Sequence, residues 1–233
     1  MTHLGNVAQA PELAERAAHE LAGAPAEDVV RWVASTFGAR WCATSSMADT
    51  VLVHLVSQVA PGAEIVFLDT GYHFPDTLAT RDAIASAYPV KVLSITPLHT
   101  VAEQDAAQGA RLHERDPDLC CALRKVEPLE RALSGYDAWV TGMRRDESPT
   151  RADIPVVSWD ERRGKVKVNP LAGWTQADID AYAAEHDVLL HPLLSQGYAS
   201  IGCAPCTRRV APGEDPRAGR WAGLGKTECG LHT

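Results

Sequence analysis

Arg40-Trp41-Cys42-Ala43-Thr44-Ser45-Ser46-Met47-Ala48-Asp49, running on through Thr50-Val51-Leu52-Val53-His54-Leu55-Val56-Ser57-Gln58-Val59 to Glu64-Ile65-Val66-Phe67-Leu68, decides the fold of this chain. Residues 40–44 are a short apolar run that reads as a buried strand. From about Ala48 the pattern changes: Val51, Leu52, Leu55, Val56 and Val59 recur at helical spacing and give the segment one inward face. Glu64 to Leu68 is again a strand. The alternation continues with a helix from Pro75 to about Tyr88, a strand from Val90 to Ile95, a helix near Arg124 to Leu133 and a strand Ala138-Trp139-Val140-Thr141. Upstream, Pro11 to Leu21 and Glu27 to Phe37 both place apolar residues at helical spacing. Strands separated by helices predict a single α/β domain with a mostly parallel sheet flanked by helices on both faces. Ligands of such sheets bind outside the carboxyl ends of the strands.

Past Gly142 the periodicity weakens. Val166-Lys167-Val168 reads as one more strand, and Thr175 opens a helix as N-cap with Asp178 three residues on, as in a capping box. From Leu190 onward Pro, Gly and small residues dominate, and Ala211 to Gly225 holds two prolines and four glycines with little periodicity. The last twenty-odd residues are expected to be mobile. The chain therefore divides into N-terminal helices (1–38), the α/β domain (39–210) and a flexible C-terminal tail (211–233). It has no internal repeat and no low-complexity tract.

The 233 residues suffice for one well-buried core. No apolar run approaches the roughly 18 residues of a membrane span. The first residues, Met1-Thr2-His3-Leu4-Gly5, lack the basic-then-apolar pattern of a leader. A cytoplasmic protein with no membrane partner is the expectation. Thiols stay reduced there, so paired cysteines argue for metal or redox chemistry over structural disulfides. A net charge of -8 disfavours nucleic acid as a partner, yet 15 of the 22 Lys and Arg residues lie in positions 117–233. The cations are concentrated where the cysteines are.

Those cysteines are an adjacent pair, Cys120-Cys121, and a second pair in Cys203-Ala204-Pro205-Cys206; Cys229 follows in Glu228-Cys229-Gly230-Leu231-His232. The tetrad has three readings: buried structural thiols, a zinc site, or an iron-sulfur cluster. Zinc knuckles usually take both pairs as C-x(2-4)-C, and adjacent cysteines are awkward ligands for one small tetrahedral ion. A cubane offers separate iron corners to neighbouring thiolates, so the spacing favours a cluster. Cys42, inside its strand, reads as an inert core residue.

The run Cys120-Cys121-Ala122-Leu123-Arg124-Lys125-Val126-Glu127-Pro128-Leu129, then Thr141-Gly142-Met143-Arg144-Arg145-Asp146-Glu147-Ser148, the Cys203/Cys206 pair and the Glu-Cys-Gly-Leu-His tail together resemble the assimilatory adenylyl-sulfate reductases of bacteria and plants. The likeness runs in register from about Thr44 to the C-terminus. It implies an adenine nucleotide alpha hydrolase-like, Rossmann-like fold. It also implies reduction of adenosine 5'-phosphosulfate to sulfite and AMP, a [4Fe-4S] cluster on Cys120, Cys121, Cys203 and Cys206, and thioredoxin as electron donor.

On this resemblance Cys229 is the nucleophile, carrying the sulfo group between substrate and thioredoxin; Lys226 and His232 stand nearby in sequence and would favour its thiolate if they approach it. The loop Thr44-Ser45-Ser46-Met47-Ala48-Asp49 stands where related ATP pyrophosphatases carry a glycine-rich pyrophosphate loop. Its glycines are absent, but Ser45 and the amides at a helix N-terminus can still hold an anion. Leu68 is expected to meet adenine through its main chain, and Gly142 to let the backbone approach the nucleotide. Lys125, Arg144, Arg145, Arg217 and Arg220 are the expected cations for the phosphosulfate, which guanidinium forks and an ammonium recognise well, with Ser45 and His232 assisting. The alternatives are an enzyme that takes the 3'-phosphorylated nucleotide alone or as well, an ATP pyrophosphatase or adenylyl transferase of the same fold, and a redox-sensing metal module without activity.

Overall fold

A computed structural model describes residues 9–224, 226 and 228–232. Met1 to Gly5 and Gly225 lie outside the described residues. A six-stranded sheet organises the chain: β1 (Trp41–Thr44), β2 (Glu64–Leu68), β3 (Lys91–Ile95), β4 (Ala138–Val140), β5 (Val157–Asp160) and β6 (Lys165–Val168), in the order β3-β2-β1-β4-β6-β5. All neighbours are parallel except β5, which returns antiparallel to β6 through a short turn. The parallel strands were legible as apolar runs. β5 was not, because Val157-Ser158-Trp159-Asp160 is a half-buried edge strand whose polar positions carry no apolar run.

Strict alternation buries both faces. Trp41, Ala43, Ile65, Phe67, Ala138 and Val140 face one side, whereas Cys42, Val66 and Trp139 face the other. The first side is covered by α1 (Ala10–Glu20), α2 (Ala26–Phe37), α3 (Val51–Val59) and α9 (Gln176–Glu185), which contribute Ala14, Val29, Val30, Val33, Leu55 and Ile179 to the main core. Leu129 and Leu133 of α8 (Glu127–Leu133) cover the second. Each fully buried Val, Leu or Ile contributes about 1.5–3 kcal/mol, so the sheet is held from both sides. α4 (Pro75–Ala87) follows β2. Two short helices, α6 (Leu112–Arg115) and α7 (Pro117–Cys121), follow α5 (Val101–Gln108).

Two boundaries differ from the sequence reading by more than a residue. The helix expected from Ala48 starts at Val51, because Met47 takes a left-handed backbone (φ 60°) and Asp49 Oδ1 accepts the Val51 N–H at 2.9 Å, making residues 47–50 a turn. The helix expected near Arg124 has its cysteines inside it: α7 ends at Cys121, runs through a wide π-turn (Ala122–Val126), and only then becomes α8. Strand order reverses between β1 and β4. Their carboxyl ends, carrying residues 44–50 and 141–148, therefore flank the crevice where such folds take ligands.

Candidate active site

The cysteine tetrad is assembled from two distant elements. Asp116 caps α7 by accepting the Leu119 N–H at 2.9 Å, which fixes the turn that presents Cys120 and Cys121. Adjacent positions on a helix project about 100° apart, so the two thiols diverge. Cys203 and Cys206 bracket a single 3-10 turn closed by Cys206 N–H to Cys203 O at 2.9 Å. That turn is anchored to the β2–α4 loop, because Ala204 N–H donates to Tyr72 O at 2.7 Å and the Thr70 hydroxyl lies 3.4 Å from Cys203 Sγ. Arg124, 4% exposed, locks the same loop, bonding Thr70 O and Gln104 Oε1 and lying over the Tyr72 ring.

The four thiols act on one another. Burial first, then Cys121, Cys203 and Cys206, push Cys120 up to about 12. Burial and then Cys203 push Cys206 up to about 11, and Cys121 is raised chiefly by burial. Burial opposes the charge of Lys125, but Cys203, Cys229 and Cys121 outweigh it and hold the ammonium above its ordinary pKa. One cation thus faces the tetrad and the tail cysteine at once. Cys42, on the sheet face that α8 covers, is fully buried and pushed up to about 12 mainly by burial, as its reading as an inert core residue requires. Among the described residues, no three His, Cys, Asp or Glu side chains converge as ligands of a single metal ion.

The tail packs back over this region. Trp221, 3% exposed, takes a left-handed backbone (φ 48°) and gathers three cations on its ring, with Lys125 Nζ at 5.9 Å, Arg220 Cζ at 4.6 Å and Lys226 Nζ at 5.7 Å. Arg220 lies across Gly202 and reaches Ser200 Oγ at 3.3 Å and Ile201 O at 3.4 Å; its Nε has no partner among the described residues. Cys229 is half-buried in a cleft beside Ala122, Val126, Arg162 and Lys226. Lys226 Nζ itself pairs with Asp118. His232 stacks on Trp139 at 5.7 Å and 6°, and burial with Lys167 and Arg151 holds it well below its ordinary pKa, which favours the neutral ring.

The remaining expected residues sit along the crevice. Ser45, at the end of β1, receives the Met47 N–H on its hydroxyl at 3.0 Å. Leu68 O, at the end of β2, is 2.8 Å from His73 Nε2. A Cβ on Gly142 would meet only Leu52, at 3.8 Å, so the protein's own packing does not demand glycine there. Arg144 is 6% exposed and holds Gln176 Oε1 at 2.8 Å, while its Nε and Nη1 have no partner among the described residues. Arg145 is exposed and donates to Ile154 O at 2.9 Å, tied to a loop outside the cysteine cluster. Arg217 Nη2 pairs with Glu228 Oε2 at 3.2 Å. Sequence reasoning missed Thr70, Arg124 and Arg151 as parts of the site. No motif marks Thr70 or Arg151, whereas Arg124 stood inside a quoted motif without a role.

Residues 40–209 match the phosphoadenosine phosphosulfate reductase domain. The chain belongs to the phosphoadenosine phosphosulfate reductase family. Within it, the chain is 64% identical over 220 residues to the adenosine 5'-phosphosulfate reductase of Streptomyces coelicolor, covering 94% of this chain and 93% of that protein. It is 56% identical over 221 residues to the enzyme of the same name from Mycolicibacterium smegmatis, covering 95% and 94%. Among solved structures it resembles the phosphoadenylyl-sulfate reductase of Candida auris, with a TM-score of 0.72 and 30% identity over 85% of this chain and 97% of that one. FMN adenylyltransferase of Candida glabrata shares the fold alone, at a TM-score of 0.56 and 13% identity over 86% of this chain and 74% of that one. The family match spans the crevice and the tetrad; the tail bearing Cys229 lies beyond residue 209.

Proposed function

We propose that this chain reduces adenosine 5'-phosphosulfate to sulfite and AMP in assimilatory sulfate reduction, with thioredoxin as reductant and an S-sulfocysteine on Cys229 as the intermediate. The observation that carries this reading is the 64% identity to an adenosine 5'-phosphosulfate reductase over 94% of the chain, supported by the tail's Trp221, which bonds Cys206 O at 3.1 Å and carries Lys125, Arg220 and Lys226 on its ring. The thiolate of Cys229 attacks the substrate sulfur, the sulfur–oxygen bond to phosphate breaks, and AMP leaves with the electron pair. Arg217, Arg220 and Lys125 neutralise charge developing on the bridging oxygen. The partnerless Nε and Nη1 of buried Arg144 fit a nucleotide oxygen in the crevice, since a buried guanidinium left unbonded is costly. Ser45, Leu68, Gly142, Arg145 and His232 complete the proposed substrate contacts. A thioredoxin thiolate then attacks Cys229 Sγ, sulfite departs, and the second thioredoxin thiol resolves the mixed disulfide. The dithiol thereby supplies both electrons, and no hydride donor or flavin is needed. Reduced thiols and a dithiol donor fit a cytoplasmic setting, and no helix among the described residues is long and apolar enough to cross a membrane.

The donor set fits a [4Fe-4S] cluster on Cys120, Cys121, Cys203 and Cys206. Four thiols press on one another, adjacent ones diverge, and Lys125 offsets the charge that four thiolates would carry. A cube that gives each thiolate its own iron corner does not require three side chains to converge on a point. When bound, it supplies negative charge and a rigid scaffold, with no corner left for substrate. Protein purified without oxygen is expected to be brown and to hold about four irons and about four acid-labile sulfides per chain. Stoichiometric zinc without sulfide overturns this assignment. Sulfite release measured with adenosine 5'-phosphosulfate and with its 3'-phosphorylated form, thioredoxin present, tests the reaction and decides between the two substrates. ATP turnover without any thiol would instead support a pyrophosphatase.

A further inference from the structure

Glu228, immediately before Cys229, is held from both sides. Its Oε1 accepts from Arg151 Nε at 2.9 Å and from the Thr150 hydroxyl at 3.3 Å; its Oε2 accepts from Arg151 Nη2 at 2.8 Å and pairs with Arg217 at 3.2 Å. The Arg151 contact is a two-bond fork, the geometry in which a guanidinium holds a carboxylate most firmly. It is sheltered as well, for Arg151 is 8% exposed and its remaining nitrogen pairs with Glu147. Arg151 stands in the 3-10 turn Pro149–Arg151, which follows directly on the β4 exit loop carrying Gly142 and Arg144. The fork therefore bridges the crevice to the tail across 77 positions of sequence.

We propose that Glu228 is the positioning residue of the reaction: the Arg151–Glu228–Arg217 clasp holds Cys229 over the tetrad for sulfo transfer, and its release frees the sulfo-tail for the reductant. This rests on the function proposed above. Arg217 is shared between the clasp and the expected phosphosulfate contacts, so arrival of the anion draws on the same cation and leaves Glu228 to Arg151 and Thr150. The two half-reactions then make opposite demands on one carboxylate. Docking serves attack by Cys229 on the substrate sulfur, and undocking serves attack by thioredoxin on Cys229.

The test separates those halves with Glu228→Gln, which keeps the shape and removes the charge, and with Arg151→Gln, which removes the fork from the other side. Formation of the sulfo adduct on Cys229, followed by mass in a single turnover without reductant, is expected to slow about 10- to 100-fold in both variants. Release of sulfite from adduct prepared beforehand, on addition of thioredoxin, is expected to be as fast as in the unaltered protein or faster. Alkylation of Cys229 by iodoacetamide in the absence of nucleotide is expected to accelerate, and Glu228→Asp to fall between. Equal slowing of both half-reactions would assign Glu228 a merely structural part. Adduct formation and alkylation at unaltered rates in both variants would overturn the clasp. Should the unaltered protein form no adduct at all, the proposed function fails, while the alkylation rates still decide whether the clasp holds the tail.

Discussion

Arg220 lies so close over Gly202 that a Cβ there would stand 2.2 Å from its Nη2. The offending atom is the end of a flexible side chain, so Gly202→Ala is expected to cost less than about 1 kcal/mol in stability while displacing the guanidinium from the site. Nucleotide affinity, measured by calorimetry, should fall as in Arg220→Ala, for which a loss of about 1.5–3 kcal/mol is expected if the residue makes charge-assisted bonds. Unchanged affinity in both variants would leave Arg220 as a clamp on the tail alone. Cys229→Ser should bind nucleotide and keep its metal but release no sulfite, since an alcohol is far less ionised than a thiol near neutrality. Cys229 and the tetrad were readable because their pairings and motif are local in sequence. Arg151 was not, because its partner lies 77 residues away and only folding makes it a neighbour of Cys229.

The elements that present the site carry their own constraints. Gly219 faces the backbone oxygen of Arg208, which a Cβ would approach to 2.3 Å, and Arg208 N–H in turn donates to Gly219 O at 2.9 Å. A backbone atom cannot swing aside, so Gly219→Ala is expected to destabilise the protein by about 1–3 kcal/mol in denaturant unfolding, more than Gly202→Ala. The opposite order would mean that the tail bridge yields more easily than Arg220. A capping box was read correctly at Thr175 and Asp178, where side chain and backbone bond reciprocally. The same signal stood unread at Thr100 and Glu103, which cap α5 in the same way. α7 and its π-turn were not legible, since a wide turn has no distinct apolar period and reads as a break before the next helix.

Across the whole molecule, buried histidines set the acid response. His191 is 1% exposed, its Nδ1 accepts the Leu193 N–H at 3.2 Å and its Nε2 meets the Thr77 hydroxyl at 2.9 Å, so the neutral ring is already fully bonded. Burial lowers its pKa, and burial with His186 lowers that of His54. The unfolded chain takes up these protons near 6.5 while the folded one resists them, so their stabilisation is present above that pH and is lost as pH falls below it. Each such histidine is expected to lower stability by at most about 1.4 kcal/mol per pH unit in that range. Melting temperatures from pH 7 to 5 should fall, and His54→Phe should flatten the slope; a slope unchanged by that variant would assign the acid response elsewhere. The parallel sheet, its covering helices, the inert Cys42 and the paired thiols were determined by the sequence itself, because apolar period and local spacing are properties of neighbouring residues. Four features were decided only by the tertiary structure: the strand order that opens the crevice between β1 and β4, the Tyr72–Ala204 bond that anchors the Cys203/Cys206 turn to the β2–α4 loop, the stacking of His232 on Trp139, and the ion pairs that dock Glu228 beside Cys229. Each depends on charges or backbone groups far apart in the chain, whose interaction has no strength until packing brings them close and keeps water out.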